Sequence, residues 1–344
     1  MKNREYWQKR FEQLEEASNR EANILTKEVE ESYRKALMQI EKQINSWYQR
    51  FAKNNNITMI EAKKILPTRD LAEFKWDVKE YIKYGEENAL NQQWMKQLEN
   101  ASARYHISKL EALKIQTQQT LEVLFGNQLD DIDKLMKKIY SEGYYHSIYE
   151  IQKGFNIGWD IASIDENKLN KIISKPWAVD GKNFSERIWG NKTKLINELH
   201  TELTQMVITG KSPDQAITNI AKKMNTSKNI SGRLIMTESA YFTSASQKDA
   251  FTDLDVEKFE VVATLDSRTS EICQQMDGQV FDMKDFEPGV TAPPFHVWCR
   301  SITVPYFDDE FNLGERAARN KDGKTYYVPS NMTYQQWQKS FMMV

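Results

Sequence analysis

Helix-breaking residues are nearly absent from the first 140 residues of this 344-residue chain. Gly85 and Gly126 are the only glycines in that stretch, and Pro67 is its only proline. Because glycine weakens a helix and proline ends one, so long a stretch with so few of them is typical of long helices. We therefore predict a helical arm or bundle over residues 1–165.

Apolar residues in this region repeat at the spacing of a helix that packs along another helix. From Tyr33 onwards they lie alternately four and three positions apart, as at the a and d positions of a helical seam. The seam consists of Val29, Tyr33, Leu37, Ile40, Ile44, Trp47 and Phe51. We interpret it as an exposed stripe that docks onto a helix of a partner protein.

Turn signals between Ile161 and Asp180 separate this region from a second one, which we place at residues 180–310. Its first helix ends at Thr209-Gly210, and the next begins with Ser212 as N-cap and Pro213 at the first helical position. A third helix is expected from about Ser231. A tight corner between two helices can present one of them to DNA, but antiparallel packing is its commoner use.

The apolar period changes to two in residues 258–264 and again in residues 301–306, which predicts two strands. Asp277-Gly278 between them is a hairpin-turn signal. The predicted fold class is thus α+β, mainly α. It combines a long helical N-terminal region, a helical middle segment, a small C-terminal α+β motif domain and a polar tail at 311–344.

Composition excludes several classes of protein. The net charge of −2 provides no overall attraction to nucleic acid or to an anionic membrane. No apolar stretch approaches the roughly 20 residues of a membrane span, and we expect no secretory signal peptide. Two cysteines do not make a disulfide scaffold, so we expect synthesis in a reducing cytoplasm. Phosphate-binding loops, dinucleotide fingerprints and His-Glu-x-x-His motifs are absent from the sequence.

Both cysteines and one of the four histidines lie close together in the sequence, between residues 264 and 306. Cys273, His296 and Cys299 offer two thiolates and an imidazole, the ligand types that zinc prefers. A second interpretation makes Cys273 a nucleophile, with His296 as its base and Asp266 orienting the base. A third treats the cysteines as small buried residues, or as partners in a disulfide.

Charged residues in the same region have simpler roles available to them. Asp266 and Arg268 lie two positions apart at a predicted strand end, where a charge-assisted hydrogen bond between them would fix a turn. Glu238 on the preceding helix is a candidate ion-pair partner of Arg233 or Arg300.

The order of these residues resembles the phage Mu F-like head morphogenesis proteins, which are minor head proteins of tailed bacteriophages. The resemblance extends over residues 187–306 and includes Pro293-Pro294 and Pro305-Tyr306. The motif residues are Arg233, Thr237, Glu238, Asp266, Arg268, Asp277, Gly278 and Arg300, together with Cys273, His296 and Cys299. In the family pattern, cysteines stand where this chain has Ser270 and Ser301.

The resemblance implies a minor capsid protein that is not an enzyme and needs no cofactor, with zinc at the cysteines as the alternative. Its expected partners are the portal protein, other head proteins and viral DNA, within a multi-subunit assembly and without a membrane. The expected roles are head morphogenesis and DNA packaging or ejection. The expected locations are the virion and, during assembly, the host cytoplasm. A hydrolase or effector enzyme and a DNA-binding accessory protein are the alternative functions.

Overall fold

The computed structural model describes residues 4–54, 109–156, 163–209 and 212–307, and the backbone of two further strands. Its helices are α1 (Arg4–Asn54), α2 (Lys109–Phe155), α3 (Glu166–Ser174), α4 (Phe184–Thr209), α5 (Pro213–Asp253) and α6 (Glu271–Met276). Its strands are β1 (Lys258–Val262), β2 (Val280–Asp282), β3 (Ile302–Tyr306), β4 (Glu315–Arg319) and β5 (Thr325–Pro329). The predicted class, α+β and mainly α, is confirmed. None of the helices described here has the length and apolar composition of a membrane span.

The chain forms two compact units, each assembled from segments that are distant in sequence. Unit 1 comprises Met1–Thr26, Ile132–Phe184 and Arg233–Val344, and unit 2 comprises Lys27–Asp131 and Ser185–Gly232. The helices α1, α2 and α5 therefore each contribute residues to both units. The sequential division into 1–165, 180–310 and 311–344 stays a prediction.

The core of unit 1 joins a small sheet to aromatic residues of three long helices. In the sheet, β1 is central and pairs antiparallel with β2 on one side and β3 on the other. Phe259 of β1 lies opposite both Phe281 and Pro305. Buried residues around it include Trp7, Phe11, Tyr144, Ile148, Ile151, Phe251, Val261 and Val304. This core places the end of β1 beside the start of β3, and the motif loops lie between these two points in the sequence.

The prediction of a hairpin turn at Asp277-Gly278 is wrong. The chain between β1 and β2 contains α6, which ends at Met276 with Asp277 as its C-cap, and it is β3 that pairs with the full length of β1. Gly278 has a φ of +77°, a left-handed conformation that favours glycine, and its N–H donates to the Val261 carbonyl at 2.8 Å. The Asp-Gly pair thus ends a helix and directs the chain back to β1.

In unit 2, the helical seam predicted on α1 packs inside the chain. Its residues Val29, Tyr33, Ile40, Ile44 and Trp47 are buried. The Tyr33 ring meets the ring of Phe125 edge-on at 6.0 Å, and its hydroxyl hydrogen-bonds Ser227 and Ser231. The interpretation of this seam as an exposed docking stripe was wrong, because helices of the same chain already cover these residues.

The corner between α4 and α5 follows the sequence prediction in part. Helix α4 ends at Thr209 and α5 begins at Pro213, and Ser212 Oγ accepts a hydrogen bond from the Gln215 N–H at 3.3 Å. Ser212 is therefore the N-cap, while Gly210 lies outside the described residues. The separate helix expected from Ser231 is instead a continuation of α5, whose polar Ser231 side chain is buried against Tyr33.

Candidate functional site

One group of motif residues in unit 1 lies between the end of β1 and the end of α6. Ser270 is the N-cap of α6, and its hydroxyl accepts a hydrogen bond from the Cys273 N–H at 3.4 Å. A serine satisfies an otherwise unpaired N–H in this way and stabilises the first turn. Ser270 therefore has its own role in the helix that carries Cys273.

Asp266 is the centre of the charged part of the site. Its carboxylate is 4% exposed and accepts two hydrogen bonds from the Arg300 guanidinium, at 2.5 and 2.8 Å. The backbone N–H of Arg268 also donates to Asp266, at 2.9 Å, and this bond fixes the turn through the backbone and not through the guanidinium. The Arg268 side chain itself lies 3.7 Å away and is mostly exposed. Arg300, not the Arg268 side chain, is thus the main charge partner of Asp266.

Electrostatics favour the charged form of this pair. Burial alone would raise the pKa of Asp266, but the hydrogen bonds and charge of Arg300, with the Arg268 N–H, lower that pKa below its usual value. The hydrogen bond to Asp266 raises the pKa of Arg300. The two-pronged ion pair ties the loop after β1 to the start of β3.

Cys273, His296 and Cys299 come together although they are separated by up to 26 positions in the sequence. Cys273 Sγ lies 3.1 Å from His296 Nε2 and 3.8 Å from Cys299 Sγ. Both cysteines are free thiols and both are 3% exposed. The three ligand atoms all lie within 4.8 Å of one another, so the cluster predicted from residue type is spatially compact.

The orientation of the His296 ring is set by its second nitrogen. Nδ1 lies 2.7 Å from the carbonyl oxygen of Val297, which can only accept a hydrogen bond. Nδ1 is therefore the donor in this bond, and Nε2 faces Cys273. Histidines that bind metals are commonly oriented by such a bond.

The pKa values of the two thiols are shifted in opposite directions. The hydrogen bond with Cys299, together with burial, raises the pKa of Cys273 above its usual value. The same hydrogen bond lowers the pKa of Cys299 to about 6, helped by backbone N–H groups of Ser301 and Phe295. Cys299 is thus the thiol that ionises first.

The motif residues of α5 fasten this helix to two loops. Thr237 Oγ1 donates to the Arg233 carbonyl at 2.8 Å and accepts from the Trp298 N–H at 3.4 Å. The buried Glu238 carboxylate accepts a hydrogen bond from Trp177 Nε1 at 2.8 Å. The sequence suggests arginine partners for Glu238. Trp177 lies in the segment of turn signals before residue 180, and nothing in the sequence predicts its hydrogen bond with Glu238.

Trp177 is itself held by an aromatic contact. Its ring stacks on that of Tyr241, with centroids 4.6 Å apart and planes 8° from parallel.

Asp277, after α6, also bonds to the backbone of another segment: its Oδ1 accepts a hydrogen bond from the Ala263 N–H at 2.9 Å. The carboxylates of the motif thus bond to groups of the protein itself, each joining two segments.

Part of the chain is similar in sequence to known phage proteins. Residues 197–304 match the family described as Phage Mu protein F like protein. The chain is also 23% identical to minor head protein GP7 of Bacillus phage SPP1 over 241 residues, which is 64% of this chain and 75% of that protein. No solved structure matches the chain significantly. The matched residues hold every motif residue described above, and over this segment the chain is similar to phage Mu F-like proteins.

Proposed function

We propose that this protein is a structural component of the phage head that assembles with the portal protein and other head proteins. The observation that carries the proposal is that residues 197–304, the family match, contain a network of polar residues directed at the protein itself. Asp266 bonds Arg300, Glu238 bonds Trp177, and neither carboxylate is exposed. Such a network stabilises a fold and does not present groups to a substrate.

The same proposal assigns the protein to the virion, and to the host cytoplasm while heads are assembled. Roles in DNA packaging or ejection would follow from a position beside the portal, through which the DNA passes. With a net charge of −2, contact with DNA would depend on local surfaces.

Co-purification tests the association. We expect the full-length protein to be retained by the tagged portal protein of the same phage, and to sediment with proheads in a sucrose gradient. An unrelated oligomeric protein with the same tag is the control bait. Absence from purified particles and from assembly intermediates would contradict the proposal.

The enzymatic alternative has one observation in its favour, the 3.1 Å separation of Cys273 Sγ and His296 Nε2. The rest of a catalytic triad is not assembled around it. Asp266 is bound to Arg300, and His296 Nδ1 is bound to the Val297 carbonyl. We therefore favour a metal-binding or structural role for the cluster.

We propose zinc as the ion that these three residues would hold. Two thiolates, each bound to a tetrahedral zinc at about 2.3 Å, lie roughly 3.8 Å apart, and the two sulfur atoms are 3.8 Å apart here. His296 Nε2 lies 3.1 Å from Cys273 Sγ, and all three ligand atoms lie within 4.8 Å of one another. A zinc ion bound there would cross-link α6 to the loop before β3 and so add to stability.

Metal analysis of the purified protein tests this proposal. We expect about one zinc ion per chain, lost in Cys273→Ala and in Cys299→Ala. His146→Ala, which changes an exposed histidine of α2, is the matched control and should keep its zinc. A zinc content near zero in the unmodified protein would leave the cluster as a purely structural contact.

A further inference from the structure

Among the described residues of unit 1, four buried polar atoms that line one cavity lack a hydrogen-bond partner of normal geometry within the protein. They are Thr243 Oγ1, Ser244 Oγ and Gln247 Nε2 on α5, and, immediately before β3, Ser301 Oγ, whose hydroxyl also interacts with the thiols of Cys273 and Cys299. None of the four residues is more than 7% exposed. Because buried polar groups are nearly always hydrogen-bonded, four such atoms in one region call for a shared partner.

The four residues line a single small cavity. Its other walls come from α1, through Glu15, Ser18 and Asn19, and from Pro293. The space open to the centre of a water molecule is about 10 Å³, and one bound water needs roughly 10 to 15 Å³ by this measure. The cavity is therefore of the size that holds one water and nothing larger.

The orientation of Gln247 defines the chemistry of the cavity. Gln247 Oε1 accepts a hydrogen bond from Thr303 Oγ1 at 2.7 Å, so the amide N–H₂ group is the end left without a partner. The cavity thus offers one fixed donor and three hydroxyls, each able to donate or accept. A cation would face the N–H donor of Gln247, and an anion would face the Glu15 side chain. Water, with two donors and two acceptors, satisfies all four groups.

We propose that this cavity binds one structural water molecule that bridges α5 to Ser301. The water accepts from Gln247 Nε2 and bonds the hydroxyls of Thr243, Ser244 and Ser301. Ser301 follows Arg300 directly and lies two positions after Cys299. The bridge therefore fixes the backbone from which the ion pair with Asp266 and the cysteine cluster are both built.

A crystal structure of the full-length protein tests the proposal directly. We expect a density peak within hydrogen-bonding distance of at least three of the four atoms. A cavity without such a peak, or hydroxyls rotated so that they bond one another, would overturn the proposal.

Oxygen-17 relaxation dispersion of the solvent counts long-lived internal waters and provides a second test. Gln247→Leu and Ser244→Ala each remove a partner, and we expect at least one of them to reduce the count by one. Thr252→Val on the same helix is the control, because Thr252 is exposed and its hydroxyl bonds the Lys248 carbonyl. An unchanged count in both cavity variants, with the helical circular dichroism retained, would contradict the bridge.

Discussion

Replacing Trp7 with alanine is expected to lower the free energy of unfolding by about 4 kcal/mol. Trp7 is 2% exposed although it lies only a few residues from the start of the chain. Its ring contacts the rings of Phe155 and Phe307, with centroids 5.7 and 5.5 Å apart. It also packs so closely on Gly154 that an added Cβ there would lie 2.2 Å from the indole. Alanine would leave a cavity that these neighbours cannot fill by small movements.

Urea unfolding followed by near-ultraviolet circular dichroism measures this effect. The matched control is Ile24→Ala, which truncates an apolar residue of the same helix that is 48% exposed. Exposed substitutions usually change stability by within about 0.5 kcal/mol. Equal effects of the two substitutions would show that the N-terminal turns of α1 are not part of the core of unit 1.

The sequence was most informative where local chemistry decides the structure. Rare helix breakers predicted the long helices, Ser212 was predicted as an N-cap, and the alternating residues of 258–264 and 301–306 predicted β1 and β3. Each of these features depends on neighbours within a few positions. The residue types of the cysteine cluster were equally visible, because thiols and an imidazole are rare in this chain.

Contacts between distant segments could not be read from the sequence. The buried Glu260 of β1 binds Arg4, 256 positions earlier, with Arg4 Nε donating to Glu260 Oε2 at 2.6 Å. One partner of Glu238 is a tryptophan 61 positions away. The seam on α1 had the correct period, but periodicity does not say whether the covering helix belongs to the same chain. These features depend on tertiary packing, which overrides local preference.

The boundaries of the family match likewise do not coincide with those of the buried core of unit 1. Residues 197–304 include Phe251 and Phe259, yet the buried cluster that contains these residues also includes Trp7 and Phe11 of α1 and Tyr144 of α2. The sequence places α1 and α2 in a separate N-terminal region. In the structure, residues of α1 and α2 are part of the buried core that supports the motif loops.

Replacing Asp266 with asparagine is expected to cost about 3 kcal/mol, at the lower end of the range for breaking a buried ion pair because Arg300 is partly exposed. Asparagine keeps an oxygen that can accept from the Arg268 N–H, so the turn is preserved while the charge is lost. Urea unfolding at pH 7 measures the loss. The double variant Asp266→Asn/Arg300→Met is the control for the pair itself, and it should cost less than the sum of the two single changes.

The pH dependence gives an independent measure of the same pair. The pKa of Asp266 is lowered in the folded protein relative to the unfolded chain, where it is about 3.9. Its contribution is therefore complete at neutral pH and is lost as the pH falls below about 4, through the folded pKa. The difference in stability between the unmodified protein and Asp266→Asn should be constant from pH 7 to pH 5 and then shrink. A difference that stayed constant to pH 3 would mean that the cost of the substitution arises from packing and not from the charge, and Arg300 would then owe its position to the loop that carries it.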